Sequence, residues 1–320
     1  MTARDPLANR ALRPDRVSYA TGALLGSDDF TAEQTYHRAR LARALAYLHG
    51  TGTVAGLAVR VDPPAAGDGG AADGDRVTVK PGMALDPLGR MVEVAAPSCL
   101  RLGRWLRSQS ALLRETGYLT RAEAIAAGVV PADPAPPWTG CFVVDVFAAF
   151  HQAERGLTPS FASGPYEALD AVSPSRLRDD HELTLLLRQE DQPPVPELPW
   201  GDVPVDGTPE DRIRALHQAM LDRGWTEGTE FDDELGVRRL PEHALTQNGT
   251  EVLLSRMVVP AVRPSVGERA DGASQPAPVR DAAFPVTWDD HVRRFVHSGP
   301  ALAWLTRQES APMARMAPVL

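Results

Sequence analysis

At Gly50 the apolar period of this chain changes from 3.6 to 2, and that switch constrains the fold more than any other feature of the sequence. Before it, Phe30, Gln34, His37, Leu41, Leu45 and Leu48 fall three or four apart, which predicts one face of a helix over residues 31–49. Thr31, with Gln34 three residues on, has the pattern of a capping box. Asp28 and Asp29 suit the positive end of the helix dipole, and Gly50 supplies a left-handed stop. Glu33, Arg40 and Arg43 lie on a neighbouring, more polar face. After the switch, residues 53–61 read as a strand with Gly56 at a bulge or close approach. Val77 and Val79 alternate with Arg76, Thr78 and Lys80, and residues 83–94 read as a hairpin turned by Pro87 and Gly89.

Further along, residues 104–115 and 121–127 read as helical, and 142–147, 182–187 and 252–259 as strands. Thr208-Pro209-Glu210-Asp211 opens a helix whose apolar positions are Ile213, Leu216 and Met220. Thr287 with Asp290 is expected to open another, with Trp288, Val292 and Phe295 inward, and a short helical piece follows near 301–305. Strands and helices do not alternate regularly. The expected class is therefore α+β: a capped N-terminal helix on a largely antiparallel, hairpin-connected sheet or partial barrel, with added helices.

Proline and glycine, 29 and 26 of the 320 residues, cluster at 62–75, 130–138, 192–207 and 263–285. Such runs cannot pack a core and are expected as exposed loops, which often carry binding surfaces. The expected organisation is an N-terminal arm (1–30), a helix and β-rich core (31–189), and a Pro-rich loop with a helical insertion (190–250). C-terminal strands and helices completing the core (251–308) and a flexible tail (309–320) follow.

The formal charge of −9 argues against nucleic acid as a partner, because phosphate-backbone binding needs a positive field. Only one basic residue, Lys80, is lysine; together with the many Ala, Pro and Gly this points to a GC-rich genome. No run approaches the ~20 apolar residues of a membrane span, and the first residues show no apolar leader, so a cytoplasmic location without membrane insertion is expected. Cys99 and Cys141 lie far apart in apolar surroundings and read as reduced core residues.

Asp29, Glu33 and His37, spaced i, i+4, i+8, are the best catalytic or metal-binding candidates, since two carboxylates and an imidazole on one stripe suit a divalent ion or a proton transfer. A helix cap and an i,i+4 pair explain the same residues without a ligand. Gly50-Thr-Gly52 precedes a strand, so no helix dipole faces a phosphate there. The loop serines lie outside any nucleophile elbow, and the remaining histidines lack paired metal spacing. Asp145 interrupts an apolar strand. It reads either as a buried acid with a raised pKa or, more simply, as a residue of the less buried face. Composition and spacing thus point to no enzyme, no metal and no cofactor.

The run Gly22-Ala-Leu-Leu-Gly-Ser-Asp-Asp-Phe-Thr-Ala-Glu-Gln-Thr-Tyr-His37 is followed by Leu48-His-Gly-Thr-Gly-Thr-Val-Ala-Gly-Leu-Ala-Val59. Together they resemble a pattern of proteins encoded in contractile injection system clusters, phage-tail-like particles with a sheath, an inner tube and a baseplate. Later pieces are similar too: Val79-Lys-Pro-Gly-Met-Ala-Leu-Asp-Pro-Leu-Gly-Arg90, Ser173–Leu183 and Leu253–Val258. Ala44-Leu-Ala-Tyr47 departs from the arginine-asparagine pair expected before Leu48-His49, and the loops at 62–75 and 192–207 are particular to this chain.

The resemblance implies a structural, baseplate-associated subunit, located in the cytoplasm as part of an assembled particle, that contacts other baseplate, sheath, tube or spike proteins. On this view Asp29, Phe30, Glu33, Gln34, Tyr36, His37, His49, Gly50, Gly52, Gly56 and Leu57 lock the helix onto a β-corner. Gln34 and His37 are expected to satisfy buried backbone groups, so His37→Ala is expected to cost ~1–3 kcal/mol. Trp138 and Trp200, in exposed loops, are expected at subunit contacts. Two alternatives are an effector or metal-dependent hydrolase carried by such a particle, using Asp29, Glu33 and His37, and a cytoplasmic adaptor or glycan-binding module.

Overall fold

The computed structural model describes residues 15–63, 75–159, 172–197, 200–201, 203–204, 206–227, 231–232, 236–237, 239–245, 247–264 and 276–310. Helix α1 (Ser27–His49) leads into β1 (Gly52–Gly56) and β2 (Val59–Asp62), followed by β3 (Arg76–Val79), β4 (Gly82–Leu85), β5 (Met91–Val94) and β6 (Ser98–Arg101). Then come α2 (Leu102–Ser108), α3 (Ala111–Thr116), β7 (Tyr118–Thr120), α4 (Arg121–Ala126) and two long strands, β8 (Gly140–Pro159) and β9 (Val172–Leu187). After α5 (Pro209–Glu227) lie β10 (Phe231–Asp232), β11 (Gly236–Val237), β12 (Val252–Val262), β13 (Val279–Arg280), β14 (Thr287–Asp289) and α6 (Gly299–Ser310). The class is α+β. Every pairing of these strands is antiparallel, and one isolated parallel bridge joins Thr53 to Phe295.

Three sheets build the body: β1-β4-β5, β2-β3-β6, and a six-stranded sheet in which β8 and β12 are central. β12 is flanked by β8 on one side and by β13 and β14 on the other; β8 pairs in turn with β7 and β9. The two small sheets cover one face of the large one. Leu57, Val59, Val77, Val79, Val92 and Val94 meet Phe142, Val144, Val146, Met257 and Val259 in a single core. A register shift in β12 between Leu253 and Ser255 keeps that core continuous: it returns Met257 and Val259 to the core face and sets Arg256 directly across from Asp145.

Several expectations change. The helix begins at Ser27 rather than Thr31, and its N-cap is Gly26, whose N–H donates to the Asp29 carboxylate in the first turn at 2.8 Å; the Thr31 hydroxyl donates to the Ser27 carbonyl inside the helix. The strand expected over 53–61 is two strands in two sheets, split by positive φ at Gly56 and Leu57. The helix at 104–115 is two short ones, the second capped by Ser110. Residues 287–289 form β14 instead of a helix start, pairing with Arg256–Val258, and the Asp290 carboxylate that follows accepts the Val59 N–H. An edge of β12 left open there takes up the Thr287-Trp288 pair, whose β propensity outweighs the cap signal. At Thr208 the expected cap is present, with Thr208 and Asp211 exchanging bonds across the first turn. No helix among the described residues is long and apolar enough to cross a membrane. The loop core at 64–74, the segment 265–275 and the last ten residues lie outside the described residues.

Candidate functional site

The motif residues surround the corner where α1 passes into β1. Gly50 (φ 71°) ends the helix and donates to the Ala46 carbonyl at 2.9 Å. Gly52 (φ 140°) has no room for a side chain, since a Cβ would stand 2.7 Å from the Arg294 carbonyl oxygen. Beside it Thr53 donates to Arg294 and accepts from Val296, each at 2.9 Å, which ties the corner to the C-terminal segment. Gly56 (φ 68°) lies against the Pro81 carbonyl. Leu57, fully buried, adopts φ 56°, a left-handed conformation that costs a non-glycine residue about 1 kcal/mol or more. Its carbonyl accepts from the buried Arg293 guanidinium at 2.8 Å, one of the contacts that hold it there.

The helix docks on the β4–β5 turn. Asp86, fully buried, closes that turn: Oδ1 accepts the N–H groups of Leu88 (3.0 Å) and Arg90 (2.8 Å), and Oδ2 accepts Arg90 Nε at 2.6 Å. Burial pushes the Asp86 carboxyl above its ordinary range, and the Arg90 charge and these bonds offset part of that rise. Gly89 (φ 81°) touches the backbone of α1, where any Cβ would overlap the Ala42 carbonyl. This close approach explains why α1 buries Thr35, Ala42 and Ala46, small residues, against the body.

The apolar row expected to face the core therefore does not. It lies about 120° round the helix from the packed seam, at ~100° per residue. Phe30, Leu41 and Leu48 are exposed, Leu48 by 76%, Leu45 is half-buried, and Leu24 and Leu25 just before the helix are exposed too. Gln34, His37 and His49 are exposed as well, so none satisfies a buried backbone group. His37 lies 3.6 Å from Glu33, a surface pair, and edge-on to the half-buried Tyr36 ring. Among the described residues no group of three or more His, Cys, Asp and Glu is placed to hold a metal ion.

Trp138 is buried, packed with Ala124, Cys141 and Val258 in a second, smaller core, and Trp200 is half-buried. The loop prolines around Trp138 signalled exposure, but its indole fills the gap between α4 and the large sheet. Cys141 is buried, its thiol pushed up to about 12; Cys99 is exposed on β6, against expectation, and both are free.

Sequence reasoning missed the main buried charge network. Asp145 lies on the far face of the large sheet and is fully buried there, because the segments at 188–194, 240–245 and 247–250 cover that face. Its Oδ2 accepts Arg188 Nε (2.7 Å) and Arg256 Nη2 (2.9 Å), and its Oδ1 accepts Arg256 Nε (2.7 Å). Arg256 also donates to the carbonyls of Pro193 and Pro194, and Arg188 to that of Glu242. Glu242 in turn accepts Arg294 Nε at 3.0 Å, so the network reaches the segment that braces the corner. His243 bonds the Leu240 N–H through Nδ1 and the Glu251 carbonyl through Nε2; burial holds its pKa below the ordinary value. No protein-family model and no curated protein matches this chain.

Proposed function

We propose that this protein is a structural subunit of a phage-tail-like contractile particle, placed at or near the baseplate, and that α1 is its docking element. The observation that carries this reading is the exposed row Phe30, Leu41 and Leu48 on a helix whose other face is already seated on the body. A helix that only stabilised this fold would bury its large apolar residues, whereas the residues this one buries are Thr35, Ala42 and Ala46, with Tyr36, Leu45 and Tyr47 half-buried. The particle itself is named by the resemblance of residues 22–59, whose glycines and Leu57 serve the corner that fixes the direction of α1. The engaged groups of the corner are all committed to backbone and turn bonds, which suits an architectural role.

The test is complementation. Particles from a strain lacking this protein are expected to be misassembled or unable to contract. Wild-type protein restores them, and Leu41→Glu with Leu48→Glu does not, although the purified variant keeps the wild-type circular dichroism. Normal particle yield and contraction in the deletion strain overturns the reading, as does full rescue by the double variant.

A further inference from the structure

Beyond Ala148 the β8–β9 pair leaves the large sheet. β12 ends its pairing with β8 at Val252–Ala148, whereas β8 and β9 stay paired out to Pro159–Val172. At ~3.3 Å per residue, this two-stranded arm is about 35 Å long. Its base is supported where the Arg90 guanidinium lies over the Phe150 ring at 4.7 Å. A lone two-stranded ribbon is marginal in water.

Residues directly opposite in an antiparallel pair share a face. One face of the arm carries His151 with Asp180, Ala153 with Arg178, and Arg155 with Arg176. The other carries Gln152 with Asp179 and Glu154 with Leu177. Arg155, Arg176, Arg178, Glu154 and Asp179 are all exposed. In a chain of net charge −9, three guanidinium groups thus gather on the outer part of one side of the arm, with Asp180 and Glu182 on that side nearer its base, and the carboxylates of Glu154 and Asp179 stand on the opposite side. The directly opposed Arg155 and Arg176 repel each other in the isolated ribbon, a cost that a facing acidic surface removes.

We propose that the partner is a second copy of this chain: arms of neighbouring copies stack face to face in the same direction, the basic side of one on the acidic side of the next. Arg155, Arg176 and Arg178 then face the neighbour's Glu154 and Asp179 across the ~10 Å spacing of packed sheets. Each copy uses two different faces, so the contact is heterologous and builds a ring or a stack rather than a closed pair. A face of about 35 by 10 Å is small for a stable interface, so the association is weak and salt-sensitive.

Sedimentation velocity of the purified full chain tests this. At 50 mM salt the wild type is expected to form species larger than the monomer that grow with concentration and disperse at 500 mM. Arg176→Glu with Arg178→Glu is expected to stay monomeric, as is Glu154→Arg with Asp179→Arg. An equimolar mixture of the two reversed proteins is expected to associate again, which neither misfolding nor a contact elsewhere produces. Leu41→Glu with Leu48→Glu is expected to leave the association intact, so this inference and the reading of α1 fail separately. A wild type that remains monomeric at low salt overturns the proposal, as do association retained by both reversed variants and a mixture that fails to associate.

Discussion

Asp86 and Asp145 are both fully buried and both paired with arginine, yet they hold different lengths of chain. Every side-chain bond of Asp86 goes to a residue within four positions, so it shapes one turn and, through Gly89, the seat of α1. Asp145 bonds arginines 43 and 111 residues away and ties together the large sheet and the loops that cover it. The first is a local device that positions a docking helix. The second is a long-range device on which the whole body depends.

That contrast is open to a graded set of substitutions. The largest effect is expected from Asp145→Ala, which strands two buried guanidinium groups; urea denaturation should show a loss of about 3–5 kcal/mol, with the whole body unfolding as one unit. An unchanged urea midpoint would remove Asp145 from that role. Gly89→Ala comes next. A positive φ and overlap with the Ala42 carbonyl should together cost about 2–3 kcal/mol, and hydrogen exchange should show α1 losing protection before the large sheet does. Simultaneous loss in both regions would show that the two devices act as one.

A smaller effect belongs to His243, which is buried in its neutral form. Its folded pKa lies below the unfolded value of ~6.5, so the unfolded chain takes up the proton first. The associated stability is fully present above that pH and falls below it, at no more than ~1.4 kcal/mol per pH unit. Thermal unfolding followed from pH 7 to 5.5 should show the decline, and His243→Gln should flatten it. His37→Ala should be smallest, within about 0.5 kcal/mol, because its ring is exposed and its partner Glu33 is a surface neighbour. A loss of 1 kcal/mol or more in urea denaturation would mean that α1 buries this face after all.

The local device was far more legible than the long-range one. Pro87 and Gly89 marked the β4–β5 turn, and Gly50 marked the end of α1, because backbone conformation restricts which residues those positions accept. Periodicity also found α1 but chose the wrong face. The row from Phe30 to Leu48 has the spacing of a core stripe, and spacing alone does not say whether the body or a neighbour covers it. Nothing near Asp145 in sequence announces Arg188 or Arg256, since ion pairing across a sheet depends on register and not on local composition. The outer arm escaped notice for a related reason. From His151 to Gly156 no residue of β8 is fully buried, so the apolar alternation that reveals a half-buried strand stops before the strand does.

The register shift near Leu254 matters for how force would pass through this molecule. It places the extra residue in β12, so that β8 runs from the deepest part of the body out along the ribbon as far as Gly156, where φ turns positive at 66°. A pull on the ribbon is then borne as shear along the ladder shared with β12, where many bonds resist together.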